Sequence, residues 1–200
     1  MHPSPVFQQH NRAAMLDFVR DRGFAHIFSA GASGLRVVHA PVFVTAAGTI
    51  QFHVARRNAA TGQMAGNPIL VSLSATDGYQ SASWYRSANQ VPTWHYQAVE
   101  IEGTARVLGR DELIELLDWS SDLMEQVHAS EPRWTRVKMT AGTFEAMLEA
   151  VTGFEVVPGD VRGTRKFNQH KGPEDRSAAI AGQQGIGRHD IAEELARSGP

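Results

Sequence analysis

Arg56-Arg57-Asn58 is the stretch of this sequence best suited to hold an anion. Two guanidiniums offer planar forks of donors. They stand where a strand-like pattern gives way to a short helix, whose first N–H groups have no intrahelical partner. A phosphate cradle and a pair of solvated surface arginines both satisfy that spacing. Trp84 to Tyr96 is the second candidate, with two of the four tryptophans and two of the three tyrosines. A connection between strands needs Gly, Asn or Pro rather than aromatics. Large flat side chains there either cap a core or line a site for a flat ligand. Nine histidines raise the question of a metal. His39 and His53 sit on neighbouring predicted strands and could approach each other, but no pair has HExxH spacing. His53 and His95 read better as ligand-lining or structural residues than as metal ligands. Lys166-Phe-Asn-Gln-His170, followed by Glu174-Asp-Arg176, is polar and compact. Lys166 and Gln169 could hydrogen-bond a ligand, or the segment could be a solvated tail. No nucleophile elbow, Walker loop or strand-borne GxGxxG is present.

The elements that must position these residues are bounded by composition. Two hundred residues suffice for one sizeable core. A net charge of −2 gives no basic face for nucleic acid. The absence of cysteine excludes disulfides, thiolate catalysis and cysteine-based metal sites. Met1-His-Pro-Ser-Pro5 lacks the basic and apolar regions of a signal peptide, and no apolar run reaches membrane-spanning length. A soluble cytoplasmic protein is the expectation.

Residues 1–10 read as an extended arm. Asn11 is a candidate N-cap for a helix from Arg12 to Arg22, stopped by Gly23. Strands are expected over Phe24–Ser29, Leu35–Thr45 and Thr49–Ala55. In the last of these, Phe52 and Val54 share one face and His53 and Ala55 the other. A short helix over Ala59–Ala65 precedes a strand over Ile69–Ala75. The aromatic stretch then reads as a connection into Ala98–Leu108, whose clean alternation argues for antiparallel pairing with one wet face. Asp111 is read as the cap of a helix reaching Ser130, with a stripe of Leu113, Leu116, Leu117, Met124 and Val127. A helix over Gly142–Thr152 follows, with Gly153 as C-cap, then a strand over Phe154–Pro158. From Gly159 the chain is polar; Gly182–Gly187 reads as flexible and Asp190–Arg197 as a final helix. This order suggests a small antiparallel β-barrel with helices packed outside it. One domain over residues 1–176 and a peripheral segment over 177–200 are expected.

Several of these pieces together resemble the PaiB-type proteins, the FMN-binding negative transcriptional regulators. They are Met1-His-Pro, His53-Val-Ala-Arg-Arg-Asn58, Ser83-Trp-Tyr85, Val91-Pro-Thr-Trp-His-Tyr96, Glu102-Gly103 and Lys166-Phe-Asn-Gln-His170. The family's usual forms are close to HxARxN, SPSWY, VPTWNY and KLSQN, and the motif order agrees from about Met1 to Ile180. The resemblance implies an α+β, mostly β fold: a split β-barrel of the flavin-reductase and pyridoxamine-phosphate-oxidase type with peripheral helices. It also implies a homodimer with FMN at the subunit interface. Carried onto this chain, Arg56, Arg57 and Asn58 would lie near the flavin phosphate. The strand His53-Val54-Ala55 would run along the isoalloxazine ring. Trp94, His95 and Tyr96 would lie near the ring or the dimer contact, and Lys166 and Gln169 would complete the pocket.

The chain departs from the family forms at Ala82, His95, Phe167, Asn168 and His170. A histidine facing a flavin could shuttle protons near neutral pH, its ordinary pKa being about 6.5. A simple hydrogen-bond replacement of Asn is the other reading of His95. The expected function is a flavin-dependent oxidoreductase acting on a small-molecule substrate or electron donor. A non-catalytic FMN-binding regulator and a haem-binding barrel are the alternatives. Direct DNA binding is not expected, because no helix-turn-helix with a basic face is visible.

Overall fold

The computed structural model describes residues 1–32, 34–129 and 131–198. A single 3-10 turn at Pro5–Phe7 leads into β1 (Gln8–Gln9) and α1 (Arg12–Arg22). Then come β2 (Phe24–Gly31), β3 (Gly34–Pro41), β4 (Phe43–Val44), β5 (Ile50–Ala55), α2 (Thr61–Met64), β6 (Pro68–Gln80) and β7 (Thr93–Val107). The chain continues through α3 (Arg110–His128), α4 (Thr143–Leu148), β8 (Val151–Val156), β9 (Asp160–Lys166), α5 (Pro173–Gly185) and α6 (His189–Arg197). No described helix is long and apolar enough to cross a membrane.

Two compact units divide the chain. The first comprises Met1–Met15, Leu73–Glu100 and Val161–Pro200; the second comprises Leu16–Ser72 and Ile101–Asp160. β6 and β7 each run through both units, which divide them after Ser72 and after Glu100.

In the second unit β2 pairs antiparallel with β3 and with the start of β6. β8 pairs with β5 and with the end of β7, and β4 lies on β5. The alternation expected for β5 is present: Ile50, Phe52 and Val54 are buried, and Gln51 and His53 face the other way. Phe52 stacks on Phe154 across the β5–β8 pair, with ring centres 5.4 Å apart. α3 starts two residues earlier than Asp111 suggested. Its N-cap is Gly109, whose N–H donates to the Glu112 carboxylate at 2.7 Å. Asp111 lies in the first turn, where its charge favours the helix dipole. Leu113 and Leu116 join Phe43, Leu108 and Leu148 in a core cluster. The stripe then leaves that core, for Met124 and Val127 are 40% and 68% exposed. The expected helix over Gly142–Thr152 is shorter, because Val151 to Gly153 turn into β8, where Gly153 lies opposite His53. Gly153 is therefore a strand residue and not a C-cap. A Cβ there would stand 2.9 Å from the methyl groups of Leu108 and Leu113, so the core closes over it.

In the first unit β9 pairs with β1 and with β7. The aromatic stretch is not a connection as far as Tyr96. Thr93–Tyr96 already belongs to β7, and the connection is residues 81–92. The polar segment after Gly159 holds β9, whose Thr164 is wholly buried and whose small Gly163 lets Met15 and Gln9 approach. α5 crosses the expected boundary at Arg176. It opens with Pro173 at its first position and Glu174 and Asp175 in its first turn, the usual signals of a helix start. The Asp175 carboxylate accepts the Arg86 N–H at 2.7 Å and the Ser87 N–H at 2.9 Å, fixing the aromatic loop to the helix. Those bonds, the Ser87 hydroxyl first, hold its pKa below the ordinary aspartate value. Ala179, Ile191 and Leu195 are buried with Tyr85 and Phe167 in the core of this unit.

Candidate functional site

The residues singled out from the sequence fall into one set in each unit. In the second unit β5 carries His53, Val54 and Ala55 into Arg56, Arg57 and Asn58. Val54 is buried, so its side chain belongs to the core, and Ala55 to Asn58 are exposed. The chain turns here because Asn58 caps it: its Oδ1 accepts the Ala60 N–H at 2.9 Å, and its carbonyl accepts from Thr61. Asn58 thus shapes the corner that the arginines occupy. Arg56 is steadied by one bond from Nη2 to the Val151 carbonyl at 3.1 Å. The Arg57 guanidinium has no protein partner among the described residues. α2 is only four residues long and starts after Ala60, so the corner's capacity for an anion resides in the guanidiniums and not in a helix dipole.

His53, three residues before Arg56, faces a cavity of about 210 Å³. Leu117 and Ser121 of α3, Trp134 and Met139 of the following loop, and Phe144 of α4 form most of its wall. Burial lowers the His53 pKa, so the ring is neutral at pH 7. It makes no hydrogen bond to the protein among the described residues. These wall residues were not found by sequence reasoning. The one available signal was Trp134, a large indole inside a polar loop.

In the first unit, β7 alternation separates the aromatic motif. Trp94 is 50% exposed and Tyr96 half-buried on one face, while His95 on the other is fully buried. The Trp94 indole N–H donates to Asp77 at 3.1 Å, and its ring meets Tyr79 edge to face. His95 stacks on Phe167 at 5.8 Å and 14°. Its Nδ1 lies 3.2 Å from the Lys166 carbonyl and its Nε2 3.0 Å from Gln80 Oε1. Burial drives its pKa down to about 4. A neutral ring can donate to only one of those two oxygens, and only a buried cation would satisfy both. A wholly enclosed imidazole engaged by its own chain is a structural group, and this geometry gives it no path to a ligand for proton transfer.

Lys166 donates to Thr93 at 2.7 Å, is half-buried, and has its pKa lowered by burial. Gln169 is occupied within the protein: it accepts the Phe167 N–H at 2.8 Å and donates to the Val6 carbonyl at 3.1 Å. Two departures from the family forms have local causes. Phe167 fills the core. Asn168 has φ +58°, a left-handed conformation that Asn tolerates, and its Oδ1 accepts the buried Tyr85 hydroxyl at 3.1 Å. His39, which could have approached His53, lies directly opposite His26 on the β2–β3 pair, with rings 4.8 Å apart.

Residues 1–158 match the family described as "Putative FMN-binding domain". The protease synthase and sporulation protein PAI 2 of Bacillus subtilis (strain 168) is 33% identical over 107 residues, 54% of this chain and 50% of that protein. The chain therefore aligns with about half the length of that curated relative. Among solved structures, the flavocytochrome Anf3 from Azotobacter vinelandii superposes with a TM-score of 0.65 at 14% identity, covering 86% of this chain and 73% of that one. An FAD and heme binding protein from Mycobacterium smegmatis gives 0.60 at 17% identity, covering 88% and 79%. These likenesses bear out the fold expected from the sequence, a split β-barrel built on antiparallel sheet with helices at its periphery.

Proposed function

Because the chain belongs to the FMN-binding domain family, we propose that it is a cytoplasmic flavin-dependent oxidoreductase acting on a small molecule. Arg56 and Arg57 hold the FMN phosphate, and the strand His53–Ala55 runs along the ring. The observation that carries this reading is the exposed Arg56–Arg57 corner, with one guanidinium unpartnered, at the end of the strand that presents a neutral His53. The residues present fit the cofactor: a forked cationic pair for a phosphate and strand backbone for a flat ring. Bound FMN supplies the electron and hydride chemistry. The chain binds the phosphate and orients the ring. In the first unit Lys166 lies on the same sheet as Trp94 and Tyr96 and donates to Thr93. Gln169 contributes indirectly, by tying the N-terminal arm to the turn after β9.

The test is a visible spectrum and an FMN titration of the purified chain, with NAD(P)H-dependent bleaching expected. Arg56→Ala combined with Arg57→Ala should weaken FMN binding by about 2–4 kcal/mol. Unchanged affinity in that double variant would remove the phosphate assignment. The sporulation protein among its relatives favours a second reading, a regulator that senses FMN without turnover. Flavin bands without bleaching, together with a salt-sensitive DNA shift, would support it. A Soret band in place of flavin bands would point to haem.

The active form in this reading is a homodimer. The open face of the β2–β3 hairpin carries the cross-strand pairs Phe24–Pro41, His26–His39, Phe28–Val37 and Ala30–Leu35. Phe24, Phe28, Leu35 and Val37 are 42–81% exposed there. An exposed sheet face whose apolar pairs flank one histidine pair is a candidate for cover by a partner surface. Phe28→Glu with Leu35→Glu should halve the mass measured by light scattering; an unchanged mass would move the dimer contact elsewhere.

A further inference from the structure

We propose that the cavity beside His53 binds a planar, uncharged aromatic molecule of one or two rings that carries a carbonyl or hydroxyl oxygen. Its volume of about 210 Å³ is the first argument. Engineered cavities of about 150 Å³ lined by aliphatic and aromatic side chains already admit benzene. This one has room for a second ring or a substituent. Flatness comes from the walls, where Trp134 and Phe144 present ring surface and Leu117, Met139 and Met147 fill the remainder. Met is the side chain best able to adapt to an irregular guest.

Polarity and charge follow from the few polar groups on the wall. The Asp118 carboxylate is paired with Arg136 at 3.2 Å, and that guanidinium lies 5.1 Å from the centre of the Phe144 ring. This pairing leaves His53 and the Ser121 hydroxyl as polar groups with no protein hydrogen bond among the described residues. A neutral imidazole offers one donor and one acceptor, and a hydroxyl offers both. One oxygen on the guest can therefore be satisfied. A carboxylate or ammonium could not, because an apolar wall repays little of the cost of stripping water from a charge.

The site lies wholly within the second unit, and binding there needs no flavin. The proposal rests on the flavin reading only in that the guest would then be the molecule the cofactor acts on. Isothermal titration calorimetry of the full chain with 1-naphthol, and with 1-naphthoate as the charged comparator, tests it. We expect saturable binding of one 1-naphthol per chain, at least tenfold tighter than 1-naphthoate. Ser121→Phe, which fills the cavity from α3, should weaken 1-naphthol binding at least tenfold while leaving FMN affinity and the melting temperature unchanged. Trp134→Ala, at a loop residue 42% exposed, should weaken it without loss of fold. Unchanged affinity in Ser121→Phe, or displacement of 1-naphthol by stoichiometric FMN, would overturn the proposal. Loss of FMN binding in the paired arginine variant with 1-naphthol binding intact leaves this site standing; FMN binding unchanged in that variant would count against the phosphate assignment alone.

Discussion

Phe167→Ala should lower the unfolding free energy by about 3–5 kcal/mol, more than any single change at the proposed ligand residues. Phe167 is wholly buried and stands at the centre of its unit's core with Tyr85, Ala179, Ile191 and Leu195. One ring face lies on His95, and the Arg165 guanidinium lies 5.2 Å from the ring centre. Removing the ring leaves a cavity whose walls come from β7, from the loop that carries Tyr85 and from the consecutive helices α5 and α6. Such walls do not collapse readily onto a void. Urea denaturation followed by tryptophan fluorescence checks the number. A cost under about 1 kcal/mol would mean that the site relaxes, and that α5 and α6 are held chiefly by their polar anchors.

Acid should unfold the protein earlier than its carboxylates alone require. His95 takes up a proton near 6.5 in the unfolded chain but only near 4 in the folded one. Between those values the unfolded state binds more protons, so stability rises with pH. The contribution of the neutral ring is complete above pH 6.5 and is lost as the pH falls toward 4. The loss is on the order of 3 kcal/mol. Burial lowers His53 and His170 in the same direction, so they add to the slope. Denaturation at pH 7 and at pH 4.5 should show the difference, and His95→Asn should flatten the curve between them. An equally steep curve in His95→Asn would assign the acid lability to other groups.

These two residues also show what a one-dimensional reading can and cannot reach. The antiparallel strands with outer helices were legible because β5 and the second half of β7 alternate cleanly, and the two positions flanking α1, Asn11 and Gly23, announce its ends. Asn11 Oδ1 does accept the Ala14 N–H, at 3.0 Å. The arginine corner was legible because charge after a strand has no local reason to be buried. His95 was not. Its surroundings are set by Gln80 and Lys166, fifteen and seventy-one positions away, and no local period reports such contacts. α5 was missed for a related reason. Gly182 read as flexibility, whereas a Cβ at that position would lie 2.4 Å from the Trp84 ring. The glycine is the groove that receives the indole. β9 was hidden by its charges, since only Gly163 and Thr164 of its seven residues are buried.

The first unit is closed by contacts between distant parts of the polypeptide. β1 pairs with β9 in the register Gln8↔Thr164 and Gln9↔Gly163, and the His2 N–H donates to Thr164 Oγ1 at 3.1 Å. During synthesis every residue of the second unit is made by Asp160, before residues 161–166 of β9. The arm at residues 2–9 must wait, solvated and unpaired, until β9 emerges and the last two helices follow it.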